Sequence, residues 1–199
     1  METKSYHHGD LKAELIKKGL EILNSKGYEG LSLRSVASAC GVSQTAPYRH
    51  FKNKDELVSE IFTQALRAFN ESLLNAAGKH PDNPKDQIRE MGVAYVRFFV
   101  ENPEYLRVLF LSDISLASVE SLCGKQAHLT TGHPFATFFN AVKMYKESTP
   151  EDTRDLNELL VYCWGLVHGI SVLASRHEIP ELYDVPTLVS HIVWNERFL

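Results

Sequence analysis

Hydrophobic residues recur along this chain at three- and four-residue steps, the period of an α-helix seen from one side. Leu11, Leu15, Ile16, Leu20 and Leu23 predict a first amphipathic helix, which Gly27 stops as its terminal left-handed residue. Ser32 is placed to cap a short helix carrying Leu33, Val36 and Ala37 and closed by Gly41; Ser43 then caps a second over residues 44–51. Cys40-Gly41-Val42-Ser43 joins the two, a connection with the length and glycine content of a helix-turn-helix. Asn53-Lys54-Asp55-Glu56 opens a long helix to about residue 77, with Leu57, Ile61, Ala65, Leu66 and Phe69 on one side.

Further on, His80-Pro81-Asp82-Asn83-Pro84 reads as a linker. A helix over 86–100 is broken at Asn102-Pro103, because the residue before proline is pushed out of the α region, and resumes over 104–111. Residues 112–130 show only a short helical stretch near 116–123. Phe135, Phe138, Phe139 and Val142, at i, i+3, i+4 and i+7, predict a helix over 134–146. Residues 151–176 form a long helix with polar ends and an apolar middle, and Pro180 and Pro186 bracket a loop before a last helix over 187–198. With no strand-like alternation and no repeat, the expected class is all-α, about nine helices: a three-helix helix-turn-helix unit over 1–54 and a helical bundle over 55–199.

Composition narrows the function classes. The 199 residues are 44% hydrophobic and 23% charged, which excludes wholesale disorder, collagen-like and disulfide-scaffold chains. Residues 1–10 lack the apolar core of a secretory signal. Residues 159–175, interrupted by Gly165, His168 and Gly169, fall short of the roughly 20 apolar residues of a membrane span. Cys40, Cys123 and Cys163 form no CxxC pair, which suits a reducing compartment. The expectation is a soluble cytoplasmic protein with no membrane partner.

The net charge of −4 conceals a split. Residues 1–54 hold nine Lys and Arg against five Asp and Glu, and the remainder is strongly acidic. A small basic module joined to an acidic body points to a polyanionic partner. On a helix over 44–51, Gln44 with Tyr48 and Thr45 with Arg49 are i,i+4 neighbours and make one polar face, while Pro47 and Phe51 lie behind. A recognition helix needs that division: an apolar back to fix its angle and a front that reaches base edges in the major groove. Gln pairs with adenine, Arg with guanine, and the Thr methyl touches thymine. The hydroxyls of Ser32, Ser43 and Tyr48, together with His50 and Lys54, are donors suited to phosphate oxygens.

Residues 41–57 read GVSQTAPYRHFKNKDEL. This resembles the TetR/AcrR-type bacterial transcriptional regulators, whose helix-turn-helix ends in Tyr-x-His-Phe-x-x-Lys-x-x-Leu, here Tyr48, His50, Phe51, Lys54 and Leu57. Gly27-Tyr28, Ser32 and Val36-Ala37 extend the match, as does Tyr6-His7-His8-Gly9-Asp10-Leu11, so that it covers residues 6–57, about a quarter of the chain. Residues 103–111 and Trp164-Gly165-Leu166-Val167-His168-Gly169 resemble the branch marked by a Trp-His-Gly motif. Pro47 departs from the family's usual Leu.

The resemblance implies a repressor that binds a palindromic double-stranded DNA operator as a homodimer and is released by a small, largely apolar ligand. It implies base contacts from Arg34 and Gln44, a base or phosphate contact from Thr45, and backbone contacts from Tyr48, His50 and Lys54, beside the Ser32, Ser43 and Arg49 read above. It implies an inducer pocket in the body, for which the aromatic excess there nominates Tyr95, Phe99, Phe110, Phe138, Phe139, Trp164 and His168. It implies a four-helix subunit interface from residues 151–176 and 187–198. Independently, 159–175 is apolar nearly all round, and Gly165 and Gly169 share a face that lets another helix approach closely.

Other readings rest on fewer residues. Cys123, His128 and His133, five apart, suggest a metal sensor, although structural zinc spacings are tighter or come as two pairs. A free thiol at Cys40, Cys123 or Cys163 suggests a redox sensor, against the default of an inert buried thiol. An enzyme would have to employ His168 or His191, yet neither has a Ser or Cys nucleophile beside it and no glycine-rich phosphate loop occurs. The expectation is therefore no catalysis, no cofactor and no resident metal.

Overall fold

The computed structural model describes residues 11–111, 132–176, 184–195 and 199. Among these, every regular element is helical. They are α1 (Leu11–Gly30), α2 (Leu33–Ala39), α3 (Lys54–Ala77), α4 (Pro84–Glu101), α5 (Pro103–Leu106), α6 (Pro134–Ser148), α7 (Leu156–Ser175) and α8 (Val185–Val193). A 3-10 turn at Pro47–Arg49 and a π turn at Arg107–Leu111 complete the set. The class is all-α. The helix expected near 116–123 lies outside the described residues.

The described residues divide into two units, one of 11–64 and 107–111, the other of 65–106, 132–176, 184–195 and 199. In the first, α1 buries Leu11, Leu15, Ile16, Leu20 and Leu23 on one face. Gly27 takes φ +68° and kinks the helix, and one more turn follows before α2. An L side chain is strained at that angle, so the position favours glycine. Ser32, in extended conformation, caps α2: its Oγ accepts from Ser35 N at 3.0 Å and Ser35 Oγ accepts from Ser32 N at 3.0 Å. Reciprocal caps of this kind satisfy two otherwise orphaned N–H groups. Gly41, at φ +66°, turns the chain out of α2.

The α-helix expected over 44–51 does not form. Pro47 has no N–H, so the bond it would have donated to the Ser43 carbonyl is missing. Ala46 N donates to that carbonyl instead, at 3.0 Å, and Arg49 N donates to Ala46 O at 3.2 Å, the three-residue pattern of a 3-10 turn. The tighter turn still packs on α2, with Pro47, Phe51, Leu33, Val36 and Ala37 buried together. α3 then starts on a double cap: Asn53 Oδ1 accepts from Glu56 N at 2.9 Å, and Glu56 Oε2 accepts from Lys52 N at 2.6 Å. Where α1 meets α3, a Cβ on Gly19 would stand 3.0 Å from Ile61 Cδ1 and 3.2 Å from Leu57 Cδ2, so glycine sets the helix separation.

In the second unit α4 is the central helix, contacting α6, α7 and α8. Asn83 caps it, accepting from Asp86 N at 3.1 Å, with Pro84 in the first turn where its missing N–H costs nothing. Gly92, midway along α4, faces Val193 of α8 and Val167 of α7. α7 starts at Leu156, later than the expected 151, because Asp155 and Glu158 form a capping box there. The preceding loop is tied down separately: the Asp152 carboxylate accepts from Arg154 and from the Tyr145 hydroxyl at 3.0 Å. Arg154 holds that carboxyl well below the usual carboxylate range. α8 starts at Val185, earlier than expected, since Pro186 fits inside a first helical turn rather than ending a loop. With 20 residues, α7 has the length and apolarity of a membrane span, more than the interrupted 159–175 run suggested, and a third of its most apolar window is buried.

Candidate functional site

The first unit presents a polar ridge above an apolar anchor. Phe51 is 2% exposed, and Pro47 is buried beside it. In front, Gln44, Thr45, Tyr48 and Arg49 are all exposed, Tyr48 at 53%. Ser43 Oγ and Thr45 Oγ1 lie 3.2 Å apart and share a hydrogen bond at the start of the turn. Ser32 and Arg34 are exposed at the start of α2. His50 is half-buried, its ring centroid 6.4 Å from that of Phe51. The ridge thus carries donors, acceptors and guanidinium groups on one exposed stretch, the chemistry needed to meet base edges and phosphates.

Lys54 behaves differently from a freely solvated lysine. Its ammonium sits 3.8 Å from the centroid of the Tyr28 ring, and Nζ donates to the Tyr28 carbonyl at 3.3 Å. The Tyr28 hydroxyl in turn donates to the Asp55 carboxylate. That bond, with burial, pushes the Tyr28 phenol up to about 12. Tyr28 and Asp55 were not among the candidates read from sequence. The signal was present, since both neighbour motif residues, but their meeting bridges 27 positions that no local period connects.

In the second unit the structure gathers several of the candidate ligand-lining rings. The Tyr95 hydroxyl is 2.9 Å from His168 Nδ1 and accepts from Trp164 Nε1 at 3.3 Å. Phe99 packs 5.0 Å from Tyr95, and Phe135 links Trp164 to Phe139 at 5.7 and 6.3 Å. Tyr95 is buried, His168 half-buried and Trp164 37% exposed. Burial lowers the His168 pKa and raises that of Tyr95. Phe138 is half-buried on α6, and Phe110 stands 37% exposed on the π turn of the first unit. Phe69 and Phe135 belong to the cluster and were missed; Phe69 meets Tyr95 edge-on at 5.0 Å. Phe135 belongs to the same helical stripe as Phe138 and Phe139, a signal that should have included it. A separate cleft of about 310 Å³ lies among Glu90, Val93, Arg97, Pro186 and Ser190, and includes none of the nominated rings.

Among the described residues, α7 exposes several apolar side chains. Val161 is 72% exposed, Leu173 45% and Tyr162 43%, and a Cβ on Gly165 or Gly169 would meet nothing within 4 Å.

The sensing groups fare as follows. Cys123 and His128 lie outside the described residues, while His133 caps α6, its Nδ1 accepting from Phe135 N at 3.2 Å. Among the described residues no three His, Cys, Asp or Glu side chains are grouped to hold a metal. Burial pushes the Cys163 thiol up to about 12 and also raises Cys40, so both are poor thiolates.

Comparison with known proteins gives two family matches. The family model for "Bacterial regulatory proteins, tetR family" matches residues 15–61, and that for "Tetracyclin repressor-like, C-terminal domain" matches residues 88–193. The HTH-type transcriptional regulator AcrR of Shigella flexneri is 30% identical over 82 residues, 41% of this chain and 38% of the relative. The tetracycline repressor protein class C of Escherichia coli is 43% identical over 56 residues, 28% of this chain and 25% of the relative. The matched stretches therefore span well under two thirds of those curated relatives. Among solved structures, a protein of unknown function from Rhodococcus sp. RHA1 aligns with TM-score 0.70 and 22% identity over 96% of this chain and 97% of that one. A TetR family transcription regulator from Marinobacter aquaeolei VT8 aligns with TM-score 0.70 and 15% identity over 94% of each. At such identities the likeness is one of fold.

Proposed function

This chain belongs to the TetR family of bacterial regulatory proteins, and from that premise we propose that it is a cytoplasmic repressor acting as a homodimer on a palindromic DNA operator. Residues 1–54 are the DNA-binding module and residues 55–199 the ligand-binding and dimerisation body. The observation that carries the reading is the exposed Gln44–Thr45–Tyr48–Arg49 ridge held by buried Pro47 and Phe51. Arg34 and Gln44 read bases, Thr45 and Arg49 flank them, and Ser32, Ser43, Tyr48, His50 and Lys54 hold phosphates. One such module covers only a half-site, so two copies related by a twofold axis are needed for a palindrome.

The exposed side of α7, with Val161, Gly165, Gly169 and Leu173, supports pairing of two copies through residues 151–176 and 187–198, since exposed apolar patches of this kind mark interaction surfaces. The ring cluster of Tyr95, Phe99, Trp164 and His168 supports a site for a small, largely apolar inducer, with Phe138 and Phe139 of the same unit as its further lining. The Trp164 and His168 pairing to one hydroxyl supports membership of the Trp-His-Gly branch. The names of the tetracycline repressors among its relatives support repression over activation.

The test is titration of the protein against duplex from its own upstream region and against random duplex, with the mass in solution measured in parallel. Preference for the upstream duplex by a dimer supports the reading. Equal affinity for the two duplexes overturns it.

A further inference from the structure

A lysine that meets phosphate from a protein surface normally has a long, mobile stem, and its three ammonium N–H groups point wherever water allows. Lys54 is restrained on two sides. Its Nζ lies over the Tyr28 ring face at 3.8 Å and donates one N–H to the Tyr28 carbonyl at 3.3 Å. The ring is itself fixed, because its hydroxyl donates to Asp55, the residue next to Lys54 on the first turn of α3. Gly27, with its left-handed φ of +68°, directs the chain so that residue 28 turns toward α3. Lys54 is half-buried by this arrangement, its ammonium is held by cation–π attraction and one hydrogen bond, and the other two N–H groups remain for an incoming anion.

We propose that Tyr28, locked by Asp55, is a positioning residue for DNA binding, which fixes the Lys54 ammonium in the orientation that meets a backbone phosphate. The proposal rests on the operator-binding reading above. Restraint before binding removes the cost of ordering a long side chain on association, so the contact forms with less loss of freedom. Asp55 makes the idea sharply testable. Judged by charge alone, a carboxylate beside a phosphate site is a liability, and removing it should tighten binding. As the lock on Tyr28 it has the opposite effect.

The experiment measures affinity of the full chain for its upstream duplex across a salt series from about 50 to 200 mM, for wild type, Lys54→Ala, Tyr28→Leu, Tyr28→Phe, Asp55→Ala and the Lys54→Ala/Tyr28→Leu pair. Loss of one phosphate contact flattens the logarithmic salt slope by about one. The expected result is that Lys54→Ala and Tyr28→Leu each flatten it by nearly that amount, that the pair is no flatter than Lys54→Ala alone, and that Tyr28→Phe, which keeps the ring face but loses the bond to Asp55, falls between wild type and Tyr28→Leu, as Asp55→Ala does. Asp55→Ala weakens binding although it removes a negative charge. Circular dichroism and thermal unfolding establish that each variant is folded; if Tyr28→Leu is not, Asp55→Ala and Tyr28→Phe carry the test.

A wild-type slope in Tyr28→Leu, additive losses in the pair, or tighter binding by Asp55→Ala overturns the positioning role. An unchanged slope in Lys54→Ala overturns the phosphate contact and the positioning role with it. No preference of the wild type for its upstream duplex is a different failure, that of the operator-binding reading itself.

Discussion

The Tyr95 hydroxyl stands 2.9 Å from Nδ1 of His168, and the same oxygen accepts the indole N–H of Trp164 at 3.3 Å. An indole nitrogen can only donate, so the tyrosine oxygen is the acceptor in that bond. The direction of the bond to His168 follows the imidazole tautomer, the hydroxyl donating when the ring proton sits on Nε2 and accepting when it sits on Nδ1. Two residues from α7 and one from α4 are thereby joined by hydrogen bonds to one oxygen within a group of aromatic rings.

A neutral imidazole held this way resists protonation. Burial lowers the His168 pKa below its ordinary value. As pH falls, the unfolded chain therefore takes up its proton first, near 6.5, while the folded chain does not. Stability is full above that pH and falls as acid approaches the folded pKa. In His168→Asn the amide oxygen can accept from Tyr95 and cannot titrate in this range. Unfolding midpoints of wild type and His168→Asn should converge as pH is lowered from about 7.5 to 5. Parallel curves would show that His168 has no part in the acid sensitivity.

Gly92 is where α4 meets α7 and α8. A Cβ there would lie 3.3 Å from Val193 Cγ1 and 3.4 Å from Val167 Cγ1. Alanine gains about 1 kcal/mol over glycine in a helix interior. Against this, overpacking typically costs about 1–3 kcal/mol. Both valines are buried and β-branched, with little rotamer freedom to give way. Gly92→Ala is expected to lower the denaturant midpoint, and Val193→Ala in the same chain should recover part of the loss. A Gly92→Ala protein more stable than wild type would mean that α7 and α8 can shift to admit the methyl.

The exposed side of α7 gives the most direct test of pairing. Val161, 72% exposed, stands one turn from Gly165. Val161→Asp would place a carboxylate inside the proposed subunit interface, where a charge without a partner is costly. The variant should have a monomeric mass at micromolar concentration. Its affinity for a two-half-site duplex should fall by a factor on the order of 100, because the second half-site is no longer engaged intramolecularly. A dimeric mass for Val161→Asp would place the interface elsewhere.

What could be read in advance divides along physical lines. Ser32 and Gly41 announced a cap and a turn correctly, and Gly27 its left-handed backbone, although it kinks α1, which continues to Gly30, instead of ending it; capping and left-handed backbone are decided within four or five residues. The 3-10 turn at Pro47 was missed although its cause was in view; an apolar-polar period says which side is buried and not whether the turn closes on three or four residues. The start of α8 was misplaced because Pro186 was read as a breaker, when proline is equally at home in a first turn. Within the candidate sites, residue types sharing a helix face were legible, and so Tyr95, Trp164 and His168 could be nominated. The hydrogen bonds that join them cross 69 and 73 positions, and the Tyr28–Asp55 bond crosses 27. Pairings of that separation are set by packing of whole helices, which no local pattern encodes.

Base reading and backbone gripping should separate cleanly in the first unit. Arg34 and Gln44 are exposed on either side of the turn, so truncation should leave the unfolding midpoint within experimental scatter. Each removes a donor pair from one base, at a cost of about 1–3 kcal/mol on the preferred duplex and much less on duplexes altered at that base. Tyr48→Phe deletes a hydroxyl suited to phosphate while keeping the ring, and should weaken every duplex by a similar factor. Binding measured against a set of single-base operator variants distinguishes the two: Arg34→Ala and Gln44→Ala should each flatten discrimination at one position per half-site, and Tyr48→Phe at none. If Gln44→Ala weakens all duplexes equally, the 3-10 turn does not bring that side chain to a base edge, and base reading falls to Arg34 and the remaining ridge.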